Sequence, residues 1–172
     1  MIEVIVVGEG QTEETFVRKV LAPALETRTI YVQSRLIRTS NAGRGGALTW
    51  DRVRLFLRNL LRERHDTYVT TLFDLYGLDS GFPGRTEAAR LTDPVDRARR
   101  IEVVFAARVV EQAGCRADRF LPHIQPYEFE GCSSPTSLSL PATAGVAGAG
   151  AYASATRRWW RLNWLRRSAA LR

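Results

Sequence analysis

Glu9 stands between Gly8 and Gly10, directly after the apolar run Val4-Ile5-Val6-Val7. A carboxylate in that place can hold a cation or exchange a proton. Asp74 has the same setting, closing the apolar run Tyr68-Val69-Thr70-Thr71-Leu72-Phe73. Glu128 and Glu130 share it too, following Phe120-Leu121-Pro122-His123-Ile124. Asp79 lies in the loop beyond Asp74. Phosphate-loop chemistry is excluded at the first site. The third glycine of a dinucleotide fingerprint is replaced by Glu13, and there is no Gly-Lys-Ser/Thr. Glu13 and Glu14 suit a helix start but repel a bare phosphate.

The elements that must position these groups follow from periodicity. All four apolar residues before Gly8 are β-branched, which predicts a strand buried on both faces. The glycines are expected to give a sharp turn, and Thr12 to cap the next helix. That helix runs from Thr12 to about Ala22 on Phe16, Val17, Val20 and Leu21, with Pro23 kinking or ending it. Residues 30–37 read as a second strand. Residues 39–46 form a glycine-rich loop whose basic centre, Arg44, can contact a phosphodiester.

A helix starting at Thr49 or Asp51 carries the stripe Trp50, Val53, Phe56, Leu57, Leu60 and Leu61. A third strand follows at 68–73. Residues 75–92 read as a lid or binding loop. Asp93-Pro94 starts a helix with the stripe Val95, Ala98, Ile101, Phe105 and Val109, closed by Gly114. The fourth strand, at 120–124, is weakened by Pro122. Strand and helix alternate, so the fold class is α/β: a small, mainly parallel, four-stranded sheet flanked by helices. Right-handed crossovers bring the strand ends, and with them Glu9, Asp74, Glu128 and Glu130, to one edge.

Composition sets bounds on function. The chain has 172 residues, enough for one domain with a real core. No apolar run reaches the roughly 18 residues of a membrane span, and no secretory leader is visible. The expected placement is cytoplasmic. Cys115 and Cys132 have no metal-ligand spacing and read as free thiols, while His65 and His123 read as structural. The net charge of +7 is misleading: six arginines and no acid lie beyond residue 130, so 7 − 6 leaves +1 for the first 130 residues.

The order Val7-Gly8-Glu9-Gly10-x-Thr12-Glu13, then Asp74, then Pro126-Tyr127-Glu128-Phe129-Glu130 resembles the Toprim-like families. More narrowly, it is similar to an uncharacterised bacterial family known only as a domain of unknown function. The likeness covers roughly residues 1–130. It implies a parallel sheet with a Mg²⁺ site. A glutamate after the first strand would be general acid/base, and an Asp-x-Asp pair would hold the metal. Glu9 and Asp74 match the first two of these positions. Tyr76 stands at the third, so Asp79, Glu128 or Glu130 would have to supply the missing oxygen. The implied activity is a Mg²⁺-dependent nuclease or related phosphoryl transfer on nucleic acid. The main rival is a non-catalytic partner protein that keeps the fold.

Residues 131–172 change texture. A Ser/Ala/Gly/Thr-rich stretch leads to Trp159, Trp160 and Trp164 among arginines. Such a tail could act as a basic nucleic-acid or membrane adaptor. The near-neutral first 130 residues argue against that role. The genetic code offers another origin. Reading Gly131-Cys132-Ser133-Ser134 from the last base of the glycine codon gives Leu, Met or Val. With TCN serine codons, two further apolar residues follow. The expectation is a single-base deletion at codon 131, leaving a frameshifted tail behind a domain of residues 1–130.

Overall fold

The computed structural model describes residues 1–37 and 48–127. Arg44, Glu128, Glu130 and the whole tail lie outside them. Strand β1 (Ile2–Gly8) is buried from Val4 to Gly8, as its β-branched run requires. It pairs in parallel with β2 (Ile30–Leu36) on one side and with β3 (Tyr68–Asp74) on the other. Strands β4 (Phe120–Leu121) and β5 (Ile124–Gln125) both pair in parallel with β3. The sheet order is β2-β1-β3-β4. The fold is therefore α/β with a mainly parallel sheet flanked by helices.

That order dictates the layers. The β1-to-β2 connection leaves β1 in one direction. The β2-to-β3 connection crosses back over β1, and the β3-to-β4 connection continues that way. Right-handed crossovers then put the first helix on one face and the next two on the other. The first face receives α1 (Gln11–Phe16), a π-helical turn (Val17–Leu21) and α2 (Ala22–Glu26). The second receives α3 (Trp50–Glu63) and α5 (Pro94–Ala113), whose Val53, Leu57, Ile101 and Phe105 pack on Ile5, Val7, Val69 and Phe73. Phe105 is the hub. Its ring centroid lies 4.9 Å from that of Phe82 and 5.2 Å from that of Phe120, both edge-on. Among the described residues no helix is long and apolar enough to cross a membrane.

Three expectations need correcting. Pro23 does not end the first helix, which continues to Glu26. The turn before it widens to a π-helix, and Ala22 N–H reaches back to Val17 O. This widening eases the clash between the proline ring and the carbonyl four residues earlier. The connection at 75–92 is not a loose lid. Leu75, Leu78 and Phe82 are buried, Leu48 bridges to Leu78, and α4 (Arg85–Ala88) sits within it. Gly84 precedes α4 with φ +86, and a Cβ there would meet Ile101 Cα at 2.8 Å, so α4 lies directly on α5.

The fourth strand is broken at Pro122-His123 into β4 and β5, because proline has no N–H for the ladder. Thr71 fills the break. Its hydroxyl donates to His123 O at 2.9 Å and accepts from His123 N–H at 3.0 Å. Thr71→Val keeps the shape but strands the His123 N–H and leaves His123 O only the long bond from Phe73 N–H, at 3.5 Å. It should cost about 2 kcal/mol by urea denaturation, most of which Thr71→Ser should restore.

Candidate functional site

Open α/β sheets bind ligands at the carboxyl ends of the strands where neighbouring connections diverge. Here that point lies between β1 and β3. The chain leaves β1 toward β2, and it leaves β3 toward β4. Gly8 is level with Leu72, so Glu9 and Asp74 flank the divergence. They meet: Asp74 N–H donates to Glu9 Oε1 at 3.4 Å. Gly77 walls the site, and a Cβ there would lie 3.5 Å from Glu9 Oε2.

The Glu9 carboxyl is pushed up from its ordinary value near 4.5 to about 7. Burial is the main cause. The Asp74 amide opposes it, while the charges of Asp74 and then Glu13 add to it. A group so placed is close to half-protonated at neutral pH, the condition in which a carboxyl can both give and take a proton.

The glycines and Glu13 serve this geometry in a way not foreseen. Gly10 is the helix N-cap with extended backbone, φ −144 and ψ −177, so no left-handed turn is needed. Thr12 is exposed inside the helix. The cap comes from Glu13, whose Oε2 accepts from Gly10 N–H at 2.9 Å. A Cβ on Gly8 would approach Glu13 Cβ to 3.0 Å, and one on Gly10 would approach Glu13 Oε2 to 3.2 Å. Close approach of Glu13, rather than φ, is what demands glycine.

Not every acidic candidate joins the pair. Asp79 is tied by its N–H to Leu48 O, and its Oδ1 is buried with no hydrogen-bond partner among the described residues. Among the described residues no group of three or more His, Cys, Asp or Glu side chains is arranged to hold a metal ion. Two carboxylates nevertheless suit Mg²⁺, which is often held by one or two of them plus waters and substrate phosphate. Calcium, with its six to eight oxygen ligands, suits the pair less well.

Residues that the sequence did not single out support the site from beneath. Leu75 N–H donates to Gln125 O at 2.9 Å, fixing the chain just past Asp74. Glu102 Oε1 on α5 accepts from Ile124 N–H at 2.9 Å and lies 3.3 Å from His123 Nδ1. His123 is thus structural, as expected, but through a carboxylate 21 residues away that no local spacing reveals.

The family model of a domain of unknown function, DUF4276, matches residues 8–132. The chain belongs to that family. Glu9, Asp74, Asp79, Glu128 and Glu130 all fall within the DUF4276 match, which stops at Cys132. No curated protein and no solved structure matches the chain.

Proposed function

We propose that the chain is a Mg²⁺-dependent phosphoryl-transfer enzyme acting on nucleic acid, with a Toprim-like site in which Glu9 is the general acid/base and Asp74 a metal ligand. The observation that carries this reading is the meeting of Glu9 and Asp74 across the divergence of β1 and β3. Bound Mg²⁺ would supply positive charge to a phosphodiester and offset the repulsion between phosphate and carboxylates. The protein's own part is orientation and proton transfer. Asp74 presents its carboxylate from a rigid strand end. Glu9, held on the Asp74 amide, takes a proton from an attacking hydroxyl or gives one to the leaving oxygen. Glu13 is committed to the Gly10 amide and stays out of the reaction.

Cleavage of labelled single- and double-stranded DNA and RNA with Mg²⁺ or Mn²⁺ tests the reading. Glu9→Gln should lower the rate about 10²–10⁴-fold. Asp74→Asn should lower it and raise the metal concentration required. If the wild-type chain cleaves and both variants match it, the assignment of these residues is wrong. One observation favours a second reading. Tyr76 stands where the Toprim pattern has its other metal-binding aspartate, and it is 54% exposed. A non-catalytic partner protein would cleave nothing under any of these conditions.

A further inference from the structure

A groove of about 290 Å³ lies between α4 and α5, lined by Thr86, Glu87, Arg90 and Arg100. Among the described residues neither Arg90 nor Arg100 has an ion-pair or hydrogen-bond partner, and both are exposed. The neighbouring charges are already engaged. Arg99 pairs with Asp96 at 3.6 Å, Asp93 caps α5 through Val95 N–H, and Arg85 donates to Leu75 O. Arg97, one turn before Arg100 on α5, has a buried Nε with no hydrogen-bond partner among the described residues. The groove itself thus sets two guanidiniums without partners among the described residues, those of Arg90 and Arg100, against one carboxylate, that of Glu87.

The groove is also anchored to its surroundings. Gly84 seats α4 on the α5 backbone. The Arg85 bond to Leu75 O ties α4 to the residue after Asp74, so the groove is built on the connection that leaves the site. Paired guanidiniums beside a hydroxyl are suited to phosphate oxygens, which they bind through several parallel hydrogen bonds.

We infer that the groove lined by Arg90 and Arg100 holds a backbone phosphate of a nucleic-acid strand. The class of ligand rests on the phosphoryl-transfer reading above; the groove's preference for a phosphate does not. Glu87 opposes the anion, and that gives the inference a second handle. Glu87→Gln should tighten binding, while Arg100→Ala should weaken it.

The test is arginine modification by phenylglyoxal on the full chain in EDTA, read by peptide mass, with inorganic pyrophosphate or a short oligonucleotide as protectant. Arg90 and Arg100 should be protected by both, and Arg18 on the opposite face by neither. Glu87→Gln should lower the half-protecting concentration about threefold, and Arg100→Ala should remove protection of Arg90. Unchanged modification of Arg90 and Arg100 with either protectant would overturn the inference. Protection by pyrophosphate alone would also overturn it, by assigning the groove to small free phosphates. The cleavage assay is independent. Protection without cleavage would keep the groove and remove the enzymatic reading. Glu9-dependent cleavage without protection would do the reverse.

Discussion

Glu9→Gln is expected to stabilise the protein at pH 8 by roughly 2–3 kcal/mol while slowing its proposed chemistry. The sign follows from the proton. In the fold the Glu9 carboxyl titrates near 7, against about 4.5 for an unperturbed group. The folded state therefore holds this proton more tightly than the unfolded chain does. Its contribution is complete below about pH 4.5 and is lost as pH rises through 7. Above that the wild-type fold keeps a charged carboxylate half-buried beside Asp74. Glutamine keeps the acceptor for the Asp74 amide and carries no charge. Urea midpoints for both proteins between pH 4.5 and 8 should diverge as pH rises, with the variant ahead. Parallel curves would mean that Glu9 is solvated and ordinary. A site residue whose loss stabilises the fold is the usual sign that function, not folding, keeps it.

Arg119→Met is expected to cost about 3–5 kcal/mol, although Arg119 is far from any proposed chemistry. The side chain is 4% exposed and donates only to carbonyls: Thr67 O through Nε and Nη2, Leu61 O through Nη1, and Arg64 O through Nη2. Leu61 and Arg64 lie at the end of α3, where the helix leaves its last carbonyls without amide partners and its dipole favours a cation. One guanidinium thus closes α3 and fastens it to the start of β3. Methionine would fill the space and leave these carbonyls bare. Thermal unfolding should fall by about 10–20 °C. Arg119→Lys should recover only part of this, because an ammonium lacks the planar fork. A change under about 1 kcal/mol would show that water satisfies the carbonyls as well as the guanidinium does.

These two residues mark what a sequence gives up readily and what it withholds. The alternation of β-branched runs with helical stripes was enough for the α/β class. It was also enough to place Glu9 and Asp74, 65 residues apart, at one sheet edge. A strand end is a local feature, and the direction of a crossover is a general one. Arg119 was invisible because an arginine is by default a surface residue, and its partners are backbone carbonyls with no signature. Glu102 was missed for a related reason: a carboxylate on a long helix looks like decoration until β5 is laid beside it. The glycines of the first turn were legible as a turn, but the crowding that requires them was not. Their backbone is not left-handed at Gly10; the crowding comes from Glu13 folding back. The break in the last strand was signalled by Pro122, while its repair by Thr71 depended on register.

The frameshift expectation has its own simple check, which is to read the gene across codon 131. A restored frame should continue with apolar residues where the present chain has Cys132, Ser133 and Ser134.

The most direct test of the central claim is a Mn²⁺ titration of the full chain followed by electron paramagnetic resonance, beside Asp74→Asn. Mn²⁺ stands in for Mg²⁺ and reports its own binding. The Glu9–Asp74 site predicts saturable uptake that weakens at least tenfold in the variant, with the wild-type Glu9 titration moving to lower pH as metal is added. Uptake that is absent, or equal in the two proteins, would contradict a metal site at the junction of β1 and β3.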